Sequence, residues 1–187
     1  MIPAGIEMRT PTAADVPALA AAFRRNRDHL RPWEPRRPES FFTEEGQARR
    51  LGSLLADRDA GRAVPWVLVD AERGLLVGAF TLTNVVLGPF RSANLGYWVD
   101  GSCTGRGLAT AAVRRVCDAA REETGLHRIE AATLLTNAAS QRVLEKSGFE
   151  EIGVAGRYLH IDGEWRDHRV FQRVLFEGEG LVGGAGE

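Results

Sequence analysis

The stretch Asn94-Leu95-Gly96-Tyr97-Trp98-Val99-Asp100, followed by Thr104-Gly105-Arg106-Gly107-Leu108-Ala109-Thr110, reads as a strand, a glycine turn and a helix start. Leu95, Tyr97 and Val99 alternate with Asn94, Gly96 and Trp98, a period-two pattern that suits a strand. Gly105 and Gly107 let the backbone approach a ligand with no Cβ in the way. From Leu108 to Thr124 apolar residues recur at helical spacing, at Leu108, Ala111, Ala112, Val116 and Ala119. A helix N-terminus preceded by glycines attracts anions, because its unpaired N–H groups and its dipole point the same way. The stretch therefore offers a diphosphate cradle.

Three diphosphate ligands compete for it. A Walker-type loop requires a Lys after its glycines, and none is present. A dinucleotide fold is approximated by Gly105-x-Gly107-x-x-Thr110, with Glu130 about 20 residues on as a ribose-binding acid. Such a fold calls for several further βα units, and the remaining chain offers one helix and one hairpin. Coenzyme A is the third candidate.

Working outward, Ile6 to Arg9 reads as a strand, and Thr12 caps a helix carrying Val16, Leu19, Ala20 and Phe23 on one face. Asn26 to Pro38 is a loop or broken helix rich in Arg, Trp and Pro. Thr43 opens a second helix with Ala48, Leu51, Leu54 and Leu55. Val64 to Val69 and Leu75 to Thr83 form two antiparallel strands around a turn at Ala71 to Gly74. Gly125 ends the long helix, and Arg128 to Leu135 is a strand. Ser140 to Lys146 is a helix stopped by Gly148. Phe149 to Ile161 and Trp165 to Phe176 make a hairpin about Asp162-Gly163. Residues 1–176 are expected to form one domain, and the glycine-rich tail 177–187 is expected to be disordered.

Composition excludes several classes. A formal net charge of -1 gives no bulk attraction to nucleic acid or anionic membranes, and no basic-aromatic nucleic-acid motif occurs. Of the 24 basic residues only Lys146 is a lysine, which reads as codon bias, although Arg also suits phosphate and carboxylate partners. Two cysteines, Cys103 and Cys117, give no disulfide framework, and Cys103 reads as an incidental small residue beside the helix start. No signal peptide or membrane-length apolar run is present, so a cytoplasmic protein is expected. No metal is expected.

The run Thr104-Gly105-Arg106-Gly107-Leu108-Ala109, then Asn137 opening the segment NAASQRVLEKSGF to Phe149, resembles the GNAT acetyltransferases. The two motifs stand in the family's order and at its separation. Thr104 departs from the usual Gln or Arg, which affects one side-chain contact but not the backbone cradle. The resemblance implies an α/β (α+β) fold. Its central sheet is mixed and mostly antiparallel, with helices on both faces and a splayed parallel strand pair that binds CoA. Three further segments narrow the branch: Asn26 to Pro35, Thr83 to Phe90, and Tyr158 to His168. Together they resemble RimJ-type enzymes, which acetylate the N-terminal alanine of a ribosomal protein. A Tyr common in the helix after Asn137 is replaced here by Leu144, as is usual in that branch.

The resemblance implies attack of a free amine on acetyl-CoA, the co-substrate. An α-amino group has a pKa of about 7.7–8.0, against about 10.4 for lysine, so a protein N-terminus needs only a weak base. The oxyanion donor is expected on backbone N–H near Trp98 and Val99. The diphosphate is expected on Gly105, Gly107, Leu108, Ala109 and Thr110, with Arg106 adding charge. Asn137 is expected on the pantetheine amide. Ser140 either protonates the thiolate, orients a water that does, or simply bonds helix backbone. Glu34 or Asp167 is the base, or binds the ammonium; Glu34 is otherwise a solvated loop carboxylate. Asn94 stands where many relatives place a Glu base. His168 is catalytic or structural, and Trp33, Phe90, Tyr158 and Trp165 wall the peptide site or belong to the core. The expected partner is a protein N-terminus, that of a ribosomal protein; an antibiotic or polyamine as acceptor, or a non-catalytic ribosome-associated module, are the alternatives. Monomer and homodimer both stand open.

Overall fold

The decisive stretch folds as read. In a computed structural model that describes residues 1–178, Ser92–Val99 is a strand (β4) and Leu108–Glu123 a helix (α4). The other strands are β1 (Ile6–Arg9), β2 (Val64–Asp70), β3 (Leu75–Val86), β5 (Arg128–Leu134), β6 (Glu150–Ile161) and β7 (Glu164–Val174). The other helices are α1 (Val16–Arg25), the single turn α2 (Arg27–Leu30), α3 (Glu44–Asp59) and α5 (Ala138–Lys146). The expected disorder of the glycine-rich tail falls, from residue 179 onward, outside the described residues.

The seven strands form one sheet in the order β1-β2-β3-β4-β5-β7-β6, antiparallel throughout except for β4 beside β5. Helices cover both faces. Leu95 and Val99 join Phe80, Val113, Val116 and Phe171 in one apolar cluster, on the face where α4 and α5 lie. Trp98 points to the opposite face and packs with Leu19, Phe23 and Leu51 of α1 and α3. The alternation in β4 therefore reports a strand buried on both faces rather than a half-solvated one.

Local signals explain the element ends. Thr43 accepts a hydrogen bond from the Gly46 N–H at 3.1 Å and so caps α3. A Cβ on Gly46 would lie 1.8 Å from the Ser40 carbonyl oxygen, so only glycine lets the 39–42 turn fold back against α3. Thr12 is the N-cap of the turn that runs directly into α1. A 3-10 turn at Ala13–Asp15 precedes α1, and it is the Asp15 carboxylate that accepts from the Thr12 N–H, at 2.7 Å, while Arg9 grips the same carboxylate. Asp162 and Gly163, at φ 45° and 89°, make the two-residue loop between β6 and β7.

Candidate active site

The site begins with a split in the sheet. β4 and β5 pair only at Ser92–Arg128, Ala93–Ile129 and Asn94–Glu130. Beyond Asn94, β4 continues with β3 as far as Val99, while β5 continues with β7 as far as Leu134 opposite His168. The two strands diverge and leave a wedge between them. A cavity of about 1160 Å³ fills this wedge and runs to the start of α4 at one end. At the other end it meets the segment after α2 and the β6–β7 hairpin.

Register decides which backbone groups face the wedge. The Asp100 N–H donates to the Val77 carbonyl at 2.8 Å, and Val99 sits opposite Gly78. In an antiparallel ladder this makes Val99 and Tyr97 non-hydrogen-bonded positions toward β3, so their N–H and C=O groups point into the wedge. Trp98 is the reverse. Its carbonyl lies against Gly78, 2.9 Å from where a Cβ would stand, and its ring is in the far cluster. The amide expected near Trp98 and Val99 is here the N–H of Val99, with that of Tyr97 beside it, and not the Trp98 N–H, because a one-residue step along a strand reverses direction.

The turn before α4 needs glycine for its backbone angles. Gly105 and Gly107 have φ 74° and 76°, and no protein atom lies within 4 Å of a Cβ at either. The space above them is open, and the first-turn N–H groups of α4 are directed toward it. Gly105, Gly107, Leu108, Ala109 and Thr110 all border the cavity, whereas the exposed Arg106 side chain does not.

Across the wedge, Asn137 is the N-cap of α5. Its Oδ1 accepts from the Ser140 N–H at 3.1 Å, which leaves its Nδ2 donors facing the cavity it lines. The Ser140 hydroxyl does not bond helix backbone. It meets the Tyr97 hydroxyl at 2.8 Å, and the Tyr97 ring stacks on Phe80 with centroids 5.3 Å apart. Burial pushes the Tyr97 phenol up to about 12, against a smaller opposing effect of the Ser140 hydrogen bond. Tyr97 stays protonated across the physiological range. The sequence reading used Tyr97 only as a strand residue; its hydroxyl could not be paired with Ser140 without the wedge geometry.

At the hairpin end, Trp33, Glu34 and Trp165 border the cavity with His29, His160 and His168. Glu34 is half-buried, 3.6 Å from Arg37, and its carbonyl accepts from the Asp162 N–H, so the α2 segment is tied to the hairpin turn. His168 is buried, with Nδ1 2.9 Å from the Arg166 carbonyl. A carbonyl oxygen only accepts, so Nδ1 is the donor in that bond.

Besides Arg106, three expected residues lie outside the cavity. Asp167 accepts from the Arg157 N–H at 2.7 Å, and it holds a β6 kink where Arg157 has φ 51°. Phe90 sits at the far end of β4, with the Arg128 guanidinium 4.9 Å from its ring centre. Tyr158 packs its ring against His168, behind the cavity wall. Adjacent strand residues face opposite ways, so Asp167 turns away from the cavity that its neighbour His168 borders.

Beneath the α4 end, Asp100 accepts from Arg25 Nε at 2.8 Å, Asn26 Nδ2 at 2.7 Å and the Ser102 N–H and hydroxyl. Burial alone would raise its carboxyl, but these donors outweigh that and hold it far below the ordinary carboxylate range. Asn26 also accepts from the Gly101 N–H at 2.9 Å. The network ties α1 to the turn that precedes α4.

A family model described as an acetyltransferase (GNAT) domain matches residues 6–150. The [ribosomal protein uS5]-alanine N-acetyltransferase of Escherichia coli is 36% identical over 150 residues, covering 80% of this chain and 77% of that one. The crystal structure of a ribosomal-protein-S5-alanine acetyltransferase from Vibrio fischeri superposes with TM-score 0.89 at 34% identity, covering 93% and 95% of the two chains. RimJ of Mycobacterium smegmatis, solved in complex with CoA-disulfide, gives TM-score 0.85 at 35% identity over 90% and 81%.

Proposed function

The chain belongs to the GNAT acetyltransferase family and is an acetyl-CoA-dependent N-acetyltransferase, and from this premise we propose that its acceptor is the N-terminal alanine of a protein, a ribosomal protein in the cytoplasm. One observation carries the choice of acceptor. Among the residues bordering the cavity, Glu34 is the single carboxylate, and Arg37 stands beside it. A polyamine or aminoglycoside site would need several carboxylates for several ammonium groups. One carboxylate among tryptophans and histidines supports a single α-amine followed by a peptide. The names of the Escherichia coli and Vibrio fischeri relatives support the same acceptor.

The chemistry asked of the residues is modest. An α-amine with a pKa of about 7.7–8.0 is in part neutral at cytoplasmic pH, and Glu34 orients it or takes its proton. The inward N–H groups of Tyr97 and Val99 suit a carbonyl oxygen that gains charge as the amine nitrogen attacks. The glycine turn and the first amides of α4 suit the diphosphate, and Asn137 Nδ2 suits a pantetheine carbonyl. As the carbon–sulfur bond breaks, the Ser140 hydroxyl gives its proton to the sulfur or holds the water that does. Tyr97, protonated up to about 12, holds the Ser140 hydroxyl through the 2.8 Å bond between their oxygens and so fixes it beside the wedge. Leu144, buried in the core, takes no part.

Thiol release from acetyl-CoA with peptides that differ only in their first residue tests the proposal. Alanine-first peptides should be turned over, and N-terminally blocked ones should not.

A further inference from the structure

We propose that an arginine-lined pocket beside the acceptor end of the wedge is a subsite for an acidic side chain, carried by the acceptor peptide behind its first residue. The inference rests on the protein-acceptor reading above and adds a charge preference to it. The pocket has a volume of about 380 Å³ and shares Leu30, Glu34, Pro35 and Arg37 with the catalytic cavity. A chain whose amine lies near Glu34 can therefore continue into it without crossing a wall. Phe23 and Phe42 form an apolar floor, and Arg27, Arg31, Arg36 and Arg37 stand around it.

Charge pairing shows which arginines are spoken for. Arg27 is held by Glu39, and Arg36 meets Asp162 at 3.2 Å. Arg37 lies 3.6 Å from Glu34, an ion pair too long for a hydrogen bond. The exposed Arg31 side chain has no ion pair or hydrogen bond among the described residues. Behind Phe23, Arg50 lies 5.3 Å from the ring centre and feels the charge of Arg37. With Arg27 and Arg36 matched by Glu39 and Asp162, Arg31 and Arg37 are left in the lining with the one carboxylate of Glu34, so the pocket keeps an excess of positive charge. When Glu34 engages the incoming amine, Arg37 is released from it and the excess grows. A carboxylate completes such a set in fork geometry, whereas a lysine is repelled. The apolar floor and the enclosure beside the cavity favour a peptide side chain over an RNA phosphate, which would bind an open basic face.

Steady-state kinetics on alanine-first peptides carrying Glu or Lys at the second, third or fourth position tests this. The better Glu peptide should exceed its Lys counterpart about five- to tenfold in kcat/KM, mostly through KM. The ratio should fall toward unity in about 0.5 M salt. The exposed Arg31→Gln variant should lose most of the ratio, and Arg31→Glu should invert it, both with unchanged kcat on a neutral peptide. Equal turnover of Glu and Lys peptides at every position overturns the subsite while leaving the acceptor reading intact. Inhibition by an RNA oligonucleotide without any peptide-charge preference overturns it in favour of nucleic acid. If only small amines are acetylated, the acceptor reading fails and the subsite falls with it.

Discussion

The Tyr97 hydroxyl on β4 lies 2.8 Å from the Ser140 hydroxyl on α5, and this bond spans the wedge at the place where β4 and β5 have parted. The two residues come from strands and helices that share no backbone pairing at that level. Phe80 fixes the Tyr97 ring from below, and the Asn137 cap fixes the first turn of α5. The pair is therefore preorganised before any ligand enters, which is what a proton donor at a breaking bond requires.

Ser140→Ala should lower kcat by about 10²-fold while acetyl-CoA binding is largely kept. Tyr97→Phe should cost about tenfold, because the serine hydroxyl loses its anchor but remains present. The double variant should be no slower than Ser140→Ala alone, since the two act as one unit. Multiplying effects would show that Tyr97 acts on its own. Stopped-flow thiol release under single-turnover conditions checks all three.

Acetyl-CoA should raise the melting temperature through binding to the native state, and NAD should not. Gly107→Glu should abolish the shift. The substitution forces a side chain onto a φ of 76° and places a negative charge in the open space at the α4 N-terminus. A stabilisation by NAD alone would return the glycine turn to the dinucleotide reading.

Stability should fall in acid through Asp100. Its folded carboxyl is held below the unfolded value of about 3.9, so it binds fewer protons folded than unfolded. The contribution is fully present above about pH 4 and is lost as pH falls below that. Asp15, lowered by its bond to Arg9, acts in the same direction. Urea midpoints between neutral pH and about pH 3 should drop steeply for the wild type and less steeply for Asp100→Asn. Asn26→Leu should cost about 3 kcal/mol at neutral pH, since it strips a donor from Asp100 and an acceptor from the Gly101 N–H.

Glu34→Gln should reduce kcat/KM for the peptide by at least about tenfold, with little change in acetyl-CoA binding. Asp167→Asn should behave oppositely. Its carboxylate serves the Arg157 N–H, so the substitution should lower stability by about 1 kcal/mol and change kcat/KM much less. Equal kinetic losses for both would put Asp167 back among the acceptor-binding groups.

The sequence carried the fold well where the signal was local. The glycine turn, the Gly125 stop, the Asp162-Gly163 loop and the Thr43 cap each needed only a few neighbouring residues, and each is present. The helix α5 starts at Ala138 rather than Ser140, because the Asn137 side chain supplies the cap. What the sequence did not carry were relations across the wedge. The Tyr97–Ser140 bond joins residues whose proximity depends on where two parallel strands part. The Asp100 network draws on Arg25 and Asn26, far away in the chain. Direction along strands was the other difficulty. The inward amides are those of Tyr97 and Val99 instead of Trp98, and Asp167 turns to the backbone of β6 while its neighbour His168 borders the cavity.

The most direct test of the account is the rate of CoA thiol release with an alanine-first peptide, its N-terminally acetylated twin, and a polyamine, each at equal concentration. Release should be rapid with the free alanine peptide, absent with the blocked twin, and at least about tenfold slower with the polyamine. Rapid release with the polyamine and none with the free peptide would contradict the protein acceptor and leave only the acetyl transfer itself standing.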